Sequence, residues 1–147
     1  MALKLSTGLR NGMLDSADFK TQMDGGLIKV YDGAVPATAD AAIAGGNTLL
    51  CTFSLNSTGA GINFDATATG DTIAKAPAEV WAGDPAVTGT GTFYRHVAAG
   101  DTGGASTTEP RIQGELGAGN EMLLATNVFT IGVNRALDVY TFTMPTL

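Results

Sequence analysis

Apolar and polar residues alternate along several short stretches of this chain, which is the pattern of a β-strand with one face in a core. In residues 49–56, every second residue from Leu49 to Leu55 is apolar and falls on the same face. Residues 62–69 alternate in the same way, and the Gly-containing residues 57–61 between the two stretches are typical of a turn. These stretches predict a hairpin of two strands, each buried on one side.

A second predicted hairpin occupies residues 91–116. Its arms contain β-prone residues, such as Phe93, Tyr94 and Ile112, that suit a half-buried pleated surface. The loop between the arms, residues 100–108, contains only small and polar residues. We therefore expect this loop to lie at the surface, where long loops often carry function.

Further strands are predicted elsewhere along the chain. The other β-prone runs, each bounded by turn residues, are 27–31, 72–81, 121–132 and 136–144. Pro77 interrupts the second of these runs and predicts an edge strand or a bulge there. In the last run Tyr140, Phe142 and Met144 share one face. Residues 32–47 lack alternation, which predicts a connecting segment.

Apolar residues recur at helical spacing over residues 5–23, which predicts one N-terminal helix. Ser6 or Thr7 provides an N-cap. Gly12 lowers helix stability by about 1 kcal/mol relative to Ala, so the helix can break near its middle. The glycines of residues 24–26 are typical of a helix end.

Together these elements predict a single domain over residues 1–147, of the mainly β class. About eight short strands at intervals of roughly 8–12 residues favour an antiparallel β-sandwich over residues 27–145, preceded by the helix at 5–23. No internal repeat is visible in the sequence, which disfavours a solenoid or a propeller.

Charge restricts the classes of partner. Only 15% of the residues are charged, against about 25% in a typical domain, and the net charge is −6. Because the sequence contains no run of Lys or Arg, we expect no nucleic acid partner and no anionic membrane partner. No apolar run approaches the roughly 20 residues of a spanning helix. The remaining surface of Thr, Ser, Ala and Gly favours contact with other proteins.

Residues with catalytic potential are few and isolated. His96 is the only histidine, and no sequence feature indicates a substrate pocket around it. The single cysteine, Cys51, falls among apolar residues, where it behaves as a small hydrophobe. A cation bound at Asp101 or Glu109 needs oxygen ligands from distant segments. We therefore expect no enzyme activity, no cofactor, no metal and no small-molecule substrate.

The second hairpin contains the residues that we predict to contact a protein partner. The position of His96 in its strand, between Arg95 and Val97, indicates a surface or interface side chain, and Tyr94 is balanced between the core and a binding patch. The tip of the loop adds polar residues at its exposed end. The predicted contact residues are Tyr94, Arg95, His96, Asp101 and Thr102.

Several stretches of the sequence carry a resemblance to known proteins. They are LSTGLRNGML (5–14), LIKVYDGAVPATADAA (27–42), GNTLLCTFSLNSTGAGINFD (46–65), KAPAEVWAG (75–83), TGTFYRHVAAGDTGGASTTEPRIQGELG (90–117) and YTFTMP (140–145). With these stretches the chain resembles a family of small virion structural proteins of tailed bacteriophages and prophages.

The resemblance implies a non-enzymatic part of a phage particle, made in the cytoplasm of the bacterial host. The expected role is that of a capsid decoration or cement protein of β-sandwich type. Its partners would be the major capsid protein and other copies of the chain, with a closed trimer preferred because shell lattices expose three-fold positions. The alternative is a tail, baseplate or fibre component that contacts the host.

Overall fold

The computed structural model describes residues 3–117 and 122–144, which form twelve strands and two helices. The helices are α1 (Thr7–Asp15) and α2 (Phe19–Met23). The strands are β1 (Lys4–Leu5), β2 (Leu27–Tyr31), β3 (Leu49–Leu55), β4 (Thr72–Ala74), β5 (Trp81–Gly83), β6 (Gly89–Thr90), β7 (Phe93–Val97), β8 (Arg111–Glu115), β9 (Met122–Leu123), β10 (Val128–Phe129), β11 (Arg135–Leu137) and β12 (Val139–Thr143).

A seven-stranded antiparallel sheet, in the order β1-β8-β7-β2-β3-β5-β11, forms the larger layer. The predicted hairpin of β7 and β8 is confirmed, with His96 opposite Ile112. A three-stranded sheet, β4-β12-β9, and a two-stranded ribbon, β10-β6, complete the sheets of the described residues. The prediction of a mainly β, antiparallel fold is therefore confirmed, although the strands are shorter and more numerous than the eight predicted.

The three-stranded sheet covers one face of the large sheet. The ring centroid of Tyr140, on β12, lies 5.6 Å from that of Trp81, 5.9 Å from that of Tyr94 and 5.5 Å from that of His96. Phe142 is also buried, whereas Val139 on the other face of β12 is exposed. The alternation predicted for β12 is thus confirmed. Its buried aromatic side chains join the two sheets through an aromatic core.

The opposite face of the large sheet lies under residues 33–46, which we call the strap, and under the loop 98–110. Register places Lys29, Arg95 and Gln113 side by side on this face, on three neighbouring strands. The Gln113 amide donates to the Pro36 carbonyl in the strap over 2.7 Å. Residues 32–47, predicted as a connecting segment, therefore shield a polar face of the sheet.

Strand β3 is buried on both sides, so the prediction of a strand with one buried face is wrong. Leu50 and Ser54 are buried on one face of the strand, and Cys51 and Phe53 are buried on the other face. Leu50 packs against Gly89 of β6, and the Ser54 hydroxyl accepts a hydrogen bond from the Gly59 amide. The ribbon and the turn after β3 cover the face that the sequence assigned to solvent.

The predicted strand at 62–69 and its hairpin with β3 are also wrong. Isolated bridges replace the ladder, between Leu55 and Ala60 and between Gly26 and Ile62. Ile62 and Phe64 are nevertheless buried in the core. The apolar alternation in this stretch comes from buried Ile62 and Phe64, which precede the exposed residues 66–69. It does not indicate a strand paired with β3.

The N-terminal segment forms two helices and not one continuous helix over 5–23, and the break that the sequence allows near the middle falls after Asp15. The Ser6 hydroxyl accepts from the Leu9 amide and caps α1, as predicted. The chain then leaves the helix, and Asp18 in an extended conformation caps α2 by accepting from the Thr21 amide over 2.7 Å. Asp18 is thus a second strong N-cap, which favours the start of a new helix over the continuation of α1.

The predicted strands 72–81 and 121–132 are each divided. Pro77 lies in a turn between β4 and β5, as its ring favours. Within 122–132 the structure contains the two short strands β9 and β10, while Glu121 lies outside the described residues, as does the predicted end of the sandwich at residue 145. No helix of the described residues is long and apolar enough to cross a membrane.

Candidate interaction surfaces

The five residues predicted to contact a partner do not form one exposed patch. Arg95 and His96 are at most 1% exposed and Asp101 is 7% exposed, so their predicted role as exposed contact residues is wrong. Tyr94, for which core and binding patch were both open, is fully buried and belongs to the core. Only Thr102 is exposed. Side chains alternate along β7, so Tyr94 and His96 face the aromatic core and Arg95 faces the strap. All three are buried because the sheet is covered on both sides.

His96 is part of the aromatic core. Its ring stacks on Phe64 with centroids 5.5 Å apart, and its Nδ1 atom lies 3.3 Å from the Tyr140 hydroxyl. Burial lowers the pKa of His96 to about 3, an effect that the carbonyl of Met23 opposes only in part. The imidazole is therefore neutral at physiological pH and has no access to a substrate.

Tyr94 packs flat against the backbone of β8. A Cβ atom placed on Gly114 would lie 2.6 Å from Cε1 of the Tyr94 ring, so only glycine leaves room for this ring. The Tyr94 ring also meets Tyr140 edge to face, with centroids 5.9 Å apart. Tyr94 is thus a core anchor between β8 and the smaller sheet.

Arg95 and Arg111 attach the strap to the large sheet. The Arg95 guanidinium donates to the Gln113 side chain over 2.9 Å and to the Thr38 carbonyl over 3.2 Å. Arg111 donates to the Ala39 carbonyl over 3.2 Å. Burial, and next the charge of Arg111, lower the pKa of Arg95 to about 10, which still leaves it charged at neutral pH.

Asp101 balances the charge of Arg111. Its carboxylate accepts two hydrogen bonds from the guanidinium, at 2.5 and 2.9 Å, and one from the Gly103 amide at 2.7 Å. Burial alone would raise the pKa of Asp101, but these hydrogen bonds outweigh it and lower the pKa. The loop 100–108 lies mainly at the surface, as predicted, but Asp101 anchors its first part in the interior.

Other chemistry-bearing side chains take structural roles. Burial, and next the charge of Asp84, raise the pKa of the Cys51 thiol to about 12, which keeps it protonated and unreactive. The Glu79 carboxylate accepts hydrogen bonds from the Asn63 amide and the Trp81 indole, each at 2.7 Å. Across residues 3–117 and 122–144, no three side chains of His, Cys, Asp or Glu converge as metal ligands would.

The first exposed apolar surface is the aliphatic tip, formed by Val87, Val128, Ile131 and Val133. These side chains are between 40% and 60% exposed. The two segments that carry them are held together, because β10 pairs with β6 and the Ile131 amide donates to the Thr88 hydroxyl over 3.1 Å. Aliphatic side chains clustered in this way are typical of a contact surface, unlike single exposed ones.

A buried aromatic residue supports the aliphatic tip. Phe129 is fully buried against Phe53, with centroids 6.4 Å apart, and the guanidinium of Arg135 lies 5.5 Å from its ring centroid. Strand alternation then directs its neighbour Val128 outwards. Ile131 lies at a tight turn closed by the Val133 amide donating to the Thr130 carbonyl, with φ of 81° at Gly132.

The second exposed apolar surface is the apolar groove, of about 390 Å³, lined by Met13, Phe19, Ala68, Ile73, Phe142 and Met144 among others. Phe19 stacks on Phe142 with centroids 4.0 Å apart and forms the floor. Asp18 sets the position of Phe19 by capping α2. Met144, at 46% exposure, lies at the rim, and its amide donates to the Asp71 carbonyl.

Sequence reasoning missed both surfaces. The signal for the aliphatic tip is the absence of charged residues from 85–94 and from 122–134, two segments that the sequence separates widely. The apolar groove has no comparable signal, because its walls come from α1, α2, β4 and β12 and meet only in the folded chain. Comparison of the chain with protein families, with curated proteins and with solved structures gives no match.

Proposed function

We propose that this chain is a structural subunit of a tailed-bacteriophage particle, acting as a capsid decoration protein on the head shell. The proposal takes the class of protein from the sequence resemblance described above. The observation that carries it further is the presence of two exposed apolar surfaces, the aliphatic tip and the apolar groove, on a chain of low charge. A chain with such surfaces gains stability when it assembles with other proteins.

The proposed action is stabilisation of the shell by binding. A protein that binds the assembled lattice, and not its separate subunits, raises the free energy needed to open the lattice. The major capsid protein is then the main partner, and the virion is the place of action. The interior supports a static role, because Arg95, Arg111 and Asp101 hold the strap and the loop on a rigid sheet.

The alternative, a tail or host-contacting component, places recognition at the loop 100–108. That loop has little freedom in the structure. The Ile43 amide donates to the Gly103 carbonyl over 3.1 Å, Arg111 donates to the Gly104 carbonyl over 2.7 Å, and the Ser106 amide donates to the Asp40 carbonyl over 2.9 Å. The loop is thus better suited to bracing the strap than to adapting to a receptor.

The copy number in purified particles tests the proposal. We expect quantitative mass spectrometry to find this chain in proportion to the major capsid protein and to find it in separated heads. Particles assembled without the chain should open at a lower temperature than complete particles. A few copies per particle, or recovery with the separated tails, would contradict a decoration role.

A further inference from the structure

We infer that the apolar groove is a docking site for a short apolar segment of a different protein, flanked by lysine or arginine residues. The lining of the groove supports this assignment without any reference to the phage particle, so the assignment extends beyond the proposed function. It specifies the chemistry that a partner segment must carry to be recognised at this groove.

The inner part of the groove provides an apolar surface of fixed shape. Phe19 and Phe142 stack with ring centroids 4.0 Å apart and form the floor, while Ala68 contributes only a methyl group to the lining. The volume of about 390 Å³ falls within the range of sites that hold compact ligands, roughly 300–1,000 Å³. Met13 and Met144 also line the groove, and their flexible thioether side chains adapt to the shape of an occupant. The groove thus suits the aliphatic side chains of a partner.

The charged part of the lining is acidic. Asp18 and Asp71 both line the groove and are exposed. Neither carboxylate forms a salt bridge with a cation of the described residues. Lys20 also lines the groove, but its ammonium group pairs with the Asp24 carboxylate and donates to the Phe64 carbonyl over 3.0 Å. The lining therefore presents two carboxylates without counter-charges to an occupant.

Local backbone structure holds both carboxylates in place. Asp18 caps α2 by accepting from the Thr21 amide over 2.7 Å, and this hydrogen bond lowers the pKa of Asp18, which is therefore ionised at neutral pH. Asp71 lies in a tight turn in which the backbones of Thr69 and Thr72 exchange hydrogen bonds of 2.8 and 3.2 Å. Because the backbone at both positions is already ordered, a basic side chain that pairs with them orders few additional groups.

The charges of the chain select a different protein, and not a second copy, as the source of the segment. The structure describes all eight basic residues, of which only Arg10 is exposed, whereas Arg95 and Arg111 are buried. Arg10 already donates to the Thr7 hydroxyl over 3.1 Å. A copy therefore offers little positive charge to the two carboxylates, and its net charge of −6 repels the chain. A basic segment of another protein is attracted by that same net charge.

Binding of synthetic peptides to the purified full-length chain tests the inference. The probe is a fluorescein-labelled peptide with Leu-Ile-Leu between two pairs of lysines, and fluorescence anisotropy measures its binding. One comparison peptide has the same apolar centre between pairs of glutamates, and the other has three serines between pairs of lysines. We expect the probe to bind about tenfold more tightly than either comparison peptide, because only the probe combines apolar burial with opposite charge. Its affinity should fall between about 0.01 M and about 1 M salt, which shortens the Debye length from about 30 Å to about 3 Å.

Variants of the chain locate the binding site. Asp18→Asn keeps the helix cap and Asp71→Asn keeps the turn, because asparagine suits both backbone positions. We expect the double variant to weaken binding of the probe by about threefold to tenfold at low salt. Ala68→Gln places a larger uncharged side chain at an exposed position of the lining and should also weaken binding. Circular dichroism checks that each variant is folded.

Asp138→Asn is the matched control. Asp138 is exposed and directly precedes β12, whereas the groove contains Phe142 and Met144 at the other end of that strand. The control variant should therefore bind the probe as tightly as wild type does.

Four results would overturn the inference: no binding of the probe, equal binding of a comparison peptide, unchanged binding by Ala68→Gln, or an equal loss in Asp138→Asn and in the double variant. The last two would show that the probe binds the acidic surface elsewhere. The copy number of the chain in heads is measured without any peptide. A chain that is abundant in heads but does not bind the probe would therefore refute the docking site and leave the proposed function standing.

Discussion

Arg111 and Asp101 form a bidentate ion pair in the interior, with side chains that are 1% and 0% exposed. Arg111 lies on β8, Asp101 lies in the loop that joins β7 to β8, and Arg111 also donates to the Ala39 carbonyl of the strap. One guanidinium therefore connects β8, the loop that precedes it and the strap, which lies about 70 residues earlier in the chain. A buried pair of this kind is costly to break, because the remaining charge has no solvent to stabilise it.

Removal of one partner of this pair should strongly destabilise the fold. We expect Arg111→Ala to lower the free energy of unfolding by about 3–5 kcal/mol, measured by urea denaturation. Lys20→Ala is the control, because Lys20 pairs with Asp24 at a partly exposed site, where a salt bridge contributes about 0–1 kcal/mol. Equal losses for the two variants would contradict the role assigned to burial.

Acid should remove the contribution of Asp101. The hydrogen bonds from Arg111 and Gly103 outweigh burial and hold the pKa of Asp101 below its ordinary value of 3.8. Its stabilising effect is therefore complete above pH 3.8 and is lost as the pH falls through the lower pKa of the folded state. We expect the difference in unfolding free energy between wild type and Asp101→Asn to be constant near neutral pH and to shrink below pH 3.8. A difference that is unchanged at low pH would contradict this assignment.

His96 should make stability depend on pH in a higher window. The unfolded chain binds a proton near pH 6.5, whereas burial prevents protonation of folded His96 until about pH 3. Stability therefore falls with decreasing pH between these values, by up to about 1.4 kcal/mol for each pH unit. We expect His96→Phe, which keeps an aromatic ring in the core, to flatten the dependence between pH 6.5 and 4. A His96 ring signal that titrates near pH 6.5 in the folded protein would contradict the prediction.

Helix α1 should depend on a close backbone approach at Gly8. A Cβ atom at this position would lie 2.3 Å from the Thr108 carbonyl oxygen, closer than any side chain is tolerated. We expect Gly8→Ala to lower the free energy of unfolding by about 1–3 kcal/mol, as overpacking does. Gly45→Ala is the matched control, because a Cβ atom at Gly45 meets no atom within 4 Å. Chemical denaturation of both variants checks the difference.

The sequence predicts the strands well where alternation with adjacent residues is enough to distinguish the buried face from the exposed face. Tyr140 and Phe142 alternate with exposed residues along β12, and Phe93–Val97 pairs with Arg111–Glu115 as the hairpin pattern indicates. The same reasoning failed for Leu50, because the β6–β10 ribbon that covers it comes from distant segments. Alternation reveals the period of a strand but not whether its second face is covered.

The candidate site was harder to predict. Arg95 is among the residues predicted to contact a partner, a role that requires an exposed side chain. Its burial depends on the carbonyls of the strap, such as that of Thr38, and this contact spans 57 positions of the chain. The aliphatic tip is equally hard to predict, because the sequence alone suggests that Val128 and Ile131 are core residues. Their exposure depends on the tertiary structure.

Titration of head shells assembled without this chain is the most direct test of the proposed function. Purified chain is added in increasing amounts, the shells are sedimented, and the bound copies are counted against the major capsid protein. We expect binding to saturate at a fixed ratio to the capsid subunits and to raise the temperature at which the shells open. Shells that bind no chain, or only a few copies without a change in that temperature, would contradict the account.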